Sequence, residues 1–178
     1  SKGTLYTIIA ADPYIEIWGS TNGGNNWTRR HGATVGPAIT YPASIAMVMD
    51  SNDMIHFVYA QWKPGDSSYD ILYSNFDTVT NFYLSTAQTL DSDAAASNSE
   101  VAISLDSNNV LHVVYRDASQ LSYKNNVTGT WATTVQVENT ANTIGLDITI
   151  SDENIPEISY IQTTDQDLTA AQGNLNNA

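Results

Sequence analysis

The sequence predicts an all-β protein built from repeated units of four short antiparallel strands. Three observations support this prediction. Apolar residues alternate over short segments, clusters of Gly, Asn, Asp and Ser separate these segments, and no stretch shows helical periodicity of useful length. The chain has 178 residues, of which 42% are hydrophobic, so it is long enough for one domain with a real core.

Two segments of the chain repeat each other closely. Ser44–Tyr59 and Glu100–Tyr115 share seven identities in sixteen ungapped positions. Gly145–Tyr160 keeps the same order of apolar strand, polar turn and apolar strand ending in tyrosine. Because Asp, Ser and Asn tolerate the backbone conformations of tight turns, each segment is predicted to form a β-hairpin.

A third strand is predicted after each hairpin, and in two units a turn then leads to an aromatic residue that begins a fourth strand. The predicted third strands are Tyr69–Asn75, Gln120–Asn126 and Gln166–Gln172. The aromatic residues are Phe82 and Trp131, and Trp27 occupies the same place in an N-terminal unit that has the second to fourth strands.

The spacing of the units predicts a β-propeller. Tyr59, Tyr115 and Tyr160 are 56 and 45 residues apart. Units of about 40–50 residues with four strands each are typical of propeller blades. We therefore predict a single β-propeller domain of about four blades, three and a half to four four-stranded antiparallel sheets, with units at roughly 1–37, 38–92, 93–140 and 141–178.

The predicted strands are incomplete at both ends, since the first unit lacks its first strand and the last unit lacks its fourth. Sheet edges are normally paired or covered. The sequence therefore predicts a very small closed ring, a section of a larger ring, or sheets completed by neighbouring copies. A homo-oligomer or polymer is the partner that this strand count favours.

The stretch Ser20–Trp27 resembles the Asp-box, S-x-D-x-G-x-x-W, of sialidase-like β-propellers. The match holds at Ser20, Gly24 and Trp27, while Asn22 stands at the Asp position. The resemblance implies a structural turn in which the side chain of residue 22 and the hydroxyl brace the backbone and the aromatic packs between sheets. It supports neither a metal ion nor an acid catalyst at this turn.

The arginines argue against a sialidase-type active site. The resemblance is to the Asp-box of sialidase-like proteins, and sialidases clamp the carboxylate of the substrate with three arginines. This chain has Arg29, Arg30 and Arg116, and the first two are neighbours that would point to opposite faces of a strand. We therefore predict no catalytic residue and no enzymatic activity, although the nineteen acidic residues do not exclude a two-carboxylate glycosidase.

His56 and His112 occupy equivalent positions in two units and are the strongest candidates for metal ligands. Tyr6 and Glu157 stand at this position in the flanking units. This favours a structural role for the histidines, in which they pack and form hydrogen bonds between blades.

The turns Asp50–Asp53 and Asp106–Asn109 suggest weak Ca²⁺ binding as an alternative to purely structural turns. They lack the Gly and the distal Glu of a calcium loop, which favours side-chain-stabilised turns. We predict no metal site and no cofactor.

Four residues are candidates for contact with a ligand or partner: Trp62, Tyr69, Asp66 and Trp18. Trp62 lies beside Asp66 on a loop longer than its counterpart in the next unit. An aromatic residue on such a loop suits stacking on a sugar or docking of a protein. The alternative is that Trp62 folds over the rim of the blade.

Charge and composition narrow the classes of partner. The net charge of −13 disfavours nucleic acid and anionic membrane surfaces. The polar, cysteine-free composition favours a secreted or cell-surface protein whose signal has been removed, and no apolar run is long enough to span a bilayer.

These observations favour a non-catalytic extracellular module that acts by self-assembly or protein binding, for example as a filament or surface-structure subunit. Two alternatives remain open. One is a lectin-like propeller that binds carbohydrate in the grooves between blades, and the other is a fragment of a glycoside-processing, sialidase-like enzyme.

Overall fold

The computed structural model describes residues 3–11, 14–30, 42–83, 86–95, 99–117, 120–139, 143–162 and 168–172. Within these residues the chain forms fifteen β-strands and no helix, and all strand pairs are antiparallel. The predicted all-β class is therefore confirmed. The described residues contain no helix long and apolar enough to cross a bilayer.

The strands form four sheets that follow the order of the chain. Sheet 1 contains β1 (Leu5–Ala11), β2 (Tyr14–Ser20) and β3 (Thr28–Arg29). Sheet 2 contains β4 (Pro42–Met49), β5 (Met54–Lys63), β6 (Ser68–Asp77), β7 (Phe82–Tyr83) and β8 (Gln88–Ala95). Sheet 3 contains β9 (Val101–Leu105), β10 (Leu111–Asp117), β11 (Gln120–Asn125) and β12 (Val135–Glu138). Sheet 4 contains β13 (Thr143–Ile150), β14 (Pro156–Gln162) and β15 (Leu168–Gln172).

The three predicted hairpins are present as β4–β5, β9–β10 and β13–β14. The last predicted third strand begins at Leu168, and residues 166–167 lie outside the described part of the chain.

Two details of the fourth strands differ from the prediction. In sheet 2 this strand is split, because β7 and β8 both pair with β6. In sheet 3 the prediction that Trp131 begins the strand is wrong, because β12 starts four residues later at Val135. The Trp131 ring is held by packing on Tyr73 of the preceding sheet, and this contact does not require Trp131 to join the ladder.

Each sheet packs face to face on the next, and the core consists of the three layers between them. We call the face that points to the preceding sheet the leading face and the opposite face the trailing face. Because β5 is covered on both sides, it is apolar on both faces, with Phe57 and Tyr59 on the leading face and Val58 and Ala60 on the trailing face.

The leading face of each second strand carries a row of three side chains that is buried in sheets 2, 3 and 4. These rows are Ile55, Phe57 and Tyr59; Leu111, Val113 and Tyr115; and Pro156, Ile158 and Tyr160. The corresponding row of sheet 1 is Leu5, Thr7 and Ile9, in which Leu5 is 48% exposed and Ile9 is 43% exposed. Among the described residues, none covers Leu5 and Ile9 on the leading face of sheet 1 as the rows of sheets 2, 3 and 4 are covered.

The turns of the β4–β5 and β9–β10 hairpins share one geometry. Asp50 accepts hydrogen bonds from the amides of Asn52 and Met54 through Oδ1, both at 2.8 Å. Asp106 does the same for Asn108 and Val110, again at 2.8 Å. The turns are thus stabilised by their own carboxylates, in the manner of Asx-turns.

Neighbouring turns also bind each other across the sheets. Asn109 Nδ2 donates to Ser51 Oγ at 2.8 Å, and Ser107 Oγ donates to Asn154 Oδ1 at 2.9 Å. Asn109 and Asn154 both have a φ near +60°, a conformation that Asn adopts more readily than most residues. One asparagine therefore closes its own turn and links it to the turn before.

We expect Asn109→Ala to lower the free energy of unfolding by about 1–2 kcal/mol, because alanine is strained at this φ and cannot bond to Ser51. Asn109→Gly removes the same side chain without the strain and should cost less. Urea denaturation of both variants measures the difference. Equal losses in the two variants would show that backbone conformation contributes nothing at this turn.

Candidate functional site in the groove between sheets 2 and 3

The groove between sheets 2 and 3 brings aromatic and acidic side chains to one rim. The pairing register places Trp62 opposite Tyr69 at the end of the β5–β6 hairpin, on the trailing face of sheet 2. The register also places Asp117 opposite Gln120 at the end of the β10–β11 hairpin, on the leading face of sheet 3. The two hairpins end on the same side of their sheets, so both pairs lie toward one end of the interface between sheets 2 and 3.

Trp62 and Tyr69 form a joint aromatic surface. Their ring centroids are 5.0 Å apart with the planes tilted by 59°, and both side chains are half-buried. Tyr69 also packs against the apolar layer between sheets 2 and 3, which fixes the position of the pair. The structure thus places Trp62 at the rim of the groove and in contact with a second aromatic ring.

Two carboxylates face this groove. The Tyr115 hydroxyl, on sheet 3, donates to Asp91 Oδ2 on sheet 2 at 2.6 Å, and it lies 3.2 Å from Thr134 Oγ1. Asp117 follows Tyr115 by two residues on the same face and accepts a hydrogen bond from Gln120 Nε2 at 3.0 Å. A hydrogen bond between sheets therefore holds Asp91 beside the end of β10.

Burial raises the pKa of Asp117 above its usual range, and the nearby charge of Asp91 adds to this effect. The hydrogen bond from Gln120 acts in the opposite direction. Asp117 consequently takes up a proton more easily than a solvated aspartate does as the pH falls.

This arrangement is chemically suited to a polyhydroxylated ligand. Aromatic rings stack on the apolar faces of sugar rings, while carboxylate and carboxamide groups bind hydroxyls. Trp62 and Tyr69 were identified from the sequence, but Asp91, Tyr115, Asp117 and Gln120 were not. The spacing of the tyrosines marked Tyr115 as a repeat residue, and nothing in the sequence indicated that Asp91 would reach it from another sheet.

Of the other two candidate contact residues, Asp66 lies in the turn of the β5–β6 hairpin and Trp18 lies on a different sheet. Asp66 is held by Lys63, whose Nζ lies 2.7 Å from Asp66 Oδ2. Trp18 is on the leading face of sheet 1, where its Nε1 donates to Glu16 Oε2 at 2.9 Å. Trp18 and Trp62 therefore belong to two separate surfaces.

The turn that resembles the Asp-box is braced by side chains. Ser20 is buried, its Oγ accepts a hydrogen bond from the Gly24 amide at 2.9 Å, and it donates to Asn22 Oδ1 at 2.9 Å. Asn22 Oδ1 in turn accepts from the Asn26 amide at 2.9 Å. The side-chain oxygen of Asn22 thus makes the hydrogen bond to the backbone that the resemblance implies for an Asp, and it does so without a charge.

Trp27, the aromatic residue of this turn, is partly exposed. It lines a cleft of about 310 Å³ on the leading face of sheet 1 together with Thr7, Ile9 and Trp18. The walls of this cleft are almost wholly apolar.

His56 and His112 have matching surroundings. Nδ1 of His56 lies 2.7 Å from the Tyr73 hydroxyl, and Nδ1 of His112 lies 2.6 Å from the Tyr123 hydroxyl. On the other side of each ring, Nε2 faces the aspartate of the hairpin turn, with Asp106 Oδ2 3.8 Å from His112. In the described residues, no group of three His, Cys, Asp or Glu side chains could hold a metal ion.

No protein-family model and no curated protein sequence matches the chain. Its fold is similar to that of several propeller-like enzymes. The NanB sialidase of Streptococcus pneumoniae has a TM-score of 0.61 at 11% identity, with 96% of this chain and 28% of that chain covered. The α-L-arabinofuranosidase Arb93A of Fusarium graminearum has a TM-score of 0.60 at 13% identity, with 91% and 54% covered.

An endo-arabinase from Bacteroides thetaiotaomicron has a TM-score of 0.54 at 12% identity, with 99% of this chain and 73% of that chain covered. The chain thus spans about a quarter of the sialidase and about half of the arabinofuranosidase. At these identities the similarity establishes the propeller-like fold, as the Asp-box resemblance predicted.

We expect the stability of the fold to decrease as the pH falls below about 6.5, the usual pKa of histidine. Burial lowers the pKa of His112, and the Asp106 charge only partly opposes this. As the pH falls below this value, the unfolded chain therefore binds a proton on His112 before the folded protein does. In urea denaturation at several pH values, His112→Gln should lose less stability than the wild type over this range. Parallel pH profiles of the two proteins would contradict this assignment.

Proposed function

We propose that this chain is a non-catalytic, carbohydrate-binding, extracellular propeller-like module, with its site in the groove between sheets 2 and 3. One observation carries the proposal. The Trp62–Tyr69 pair lies on one wall of the groove, and Asp117 and Gln120 lie on the other. This combination offers a stacking surface and hydroxyl-binding groups at the same rim.

The solved structures of similar fold support the proposal in a general way. They are named as a sialidase, an α-L-arabinofuranosidase and an endo-arabinase, which are enzymes that act on carbohydrates. The acidic, cysteine-free composition also fits a protein that works outside the cell.

The placement of the arginines supports a binding role over sialidase chemistry. Arg29 lies on sheet 1, where its Nη1 is 3.1 Å from Glu16 Oε1, whereas Arg116 lies on sheet 3. These two arginines therefore belong to sheets that are separated by sheet 2, and they do not form one clamp.

Glycoside hydrolysis in the same groove is the second candidate function. It is favoured by the raised pKa of Asp117 beside the charge of Asp91, since glycosidases use one protonated and one ionised carboxyl group. In that case Asp117 would donate the proton to the leaving oxygen, and Asp117→Asn would abolish turnover.

A glycan array followed by calorimetry tests the binding proposal. We expect Trp62→Ala to weaken binding about tenfold or more, because it removes half of the aromatic surface. Trp62→Phe should restore part of the affinity, and Asp117→Asn should weaken binding without loss of fold. Phe82→Ala is the control, since Phe82 is exposed and pairs with Asp77, at the end of β6 opposite to Tyr69.

Absence of binding to any glycan by the wild type would contradict the proposal. Turnover of a fluorogenic sialoside or arabinofuranoside that Asp117→Asn abolishes would establish the second candidate instead.

A further inference from the structure

The leading face of sheet 1 has the character of a sheet–sheet interface. Leu5 and Ile9 are 48% and 43% exposed, and Trp18 and Trp27 lie beside them. The polar groups that a sugar would require are nearly absent from the walls of this cleft. An apolar surface of this kind is suited to burial against another protein surface.

The repeat shows what covers this face elsewhere. Leu5 and Ile9 occupy the positions in sheet 1 that Ile55 and Tyr59 occupy in sheet 2. This follows from the registers of β1–β2 and β5–β6, in which Tyr6 and His56 take equivalent places. Ile55 and Tyr59 are fully buried against the trailing face of sheet 1. The leading faces of sheets 3 and 4 are buried in the same way by the trailing faces of sheets 2 and 3.

The aromatic residue of the fourth-strand turn gives independent support. Trp131, which corresponds to Trp27, packs edge-on against Tyr73 of the preceding sheet at 5.1 Å. Its Nε1 also donates to Gln88 Oε1 of that sheet at 3.2 Å. Trp27 is therefore placed to make the same type of contact with a sheet that precedes sheet 1.

The chain itself carries one further trailing face, on sheet 4. Ile144 and Leu168 both pair with Ile161 on this face, and they are 41% and 77% exposed. Leu168 takes the place of Ile71 and Leu121, which are fully buried in their own interfaces. This patch is of the kind that covers a leading face in all three interfaces within the chain.

We infer that the leading face of sheet 1 binds the trailing face of sheet 4 of a second copy of this chain, head to tail. Such a contact joins two different surfaces, so it generates a closed ring or an open chain of copies. Two copies of four sheets would give a ring of eight, which is within the usual size of propellers. Because the copies each carry a net charge of −13, added salt should strengthen the association.

Light scattering on Ile9→Asp, Leu168→Asp and their mixture tests the inference. The wild type should form particles of at least two chains, and each variant alone should have the mass of one chain, 19.3 kDa. A mixture of the two should form particles of two chains and no more. Ile9→Asp retains a working trailing face, and Leu168→Asp retains a working leading face.

Val79→Asp is the matched control, since Val79 is 72% exposed on a turn of sheet 2 and the variant adds the same charge. Circular dichroism establishes that each variant is folded, and Leu168→Asp removes almost no packing. A monomeric wild type at high salt would overturn the inference. Equal disruption by Val79→Asp, or a mixture that stays monomeric while the wild type does not, would also overturn it.

Discussion

Burial of each second strand against the preceding sheet is the interaction on which the rest of this structure depends. Tyr59, Tyr115 and Tyr160 are all buried at the same point of successive interfaces. Burying a large side chain of this kind contributes about 2–3 kcal/mol. Because the chain has no cysteine, no disulfide joins the sheets, and their contact in each interface is made by these buried side chains.

The candidate site is a consequence of this stacking. The β5–β6 and β10–β11 hairpins end at the same rim, where the apolar layer gives way to Trp62, Tyr69 and Asp117. The split fourth strand of sheet 2 matters here, since β8 pairs with the middle of β6 and so brings Asp91 to Tyr115. The polar groups of the groove are thus contributed by two sheets and are held by a hydrogen bond between them.

The sequence predicted the hairpins and the equivalent positions of the two histidines because the same residues recur in successive units. It did not identify Tyr83, whose ring packs on Phe57 and whose hydroxyl donates to the Ile15 carbonyl, because the neighbouring Phe82 matched the aromatic position equally well. Two adjacent aromatics on a strand point to opposite faces, and only the packed structure shows which one is inside.

The acidic residues of the groove could not be predicted for a different reason. Asp91 lies in β8, which begins at Gln88 after an interruption of the fourth strand, and its partner Tyr115 is in the next sheet. The perturbed titration of Asp117 likewise depends on burial and on Asp91. Neither property is local in sequence, so periodicity and spacing contain no trace of them.

The contacts between Ser51 and Asn109 and between Ser107 and Asn154 have a geometric consequence for the whole assembly. They tie successive sheets together at one end, while the aromatic layers set the separation along their length. Two constraints at different places along a pair of sheets fix the angle between them. The orientation of sheet 3 against sheet 2 and of sheet 4 against sheet 3 is therefore set by short contacts that each of these repeats carries itself.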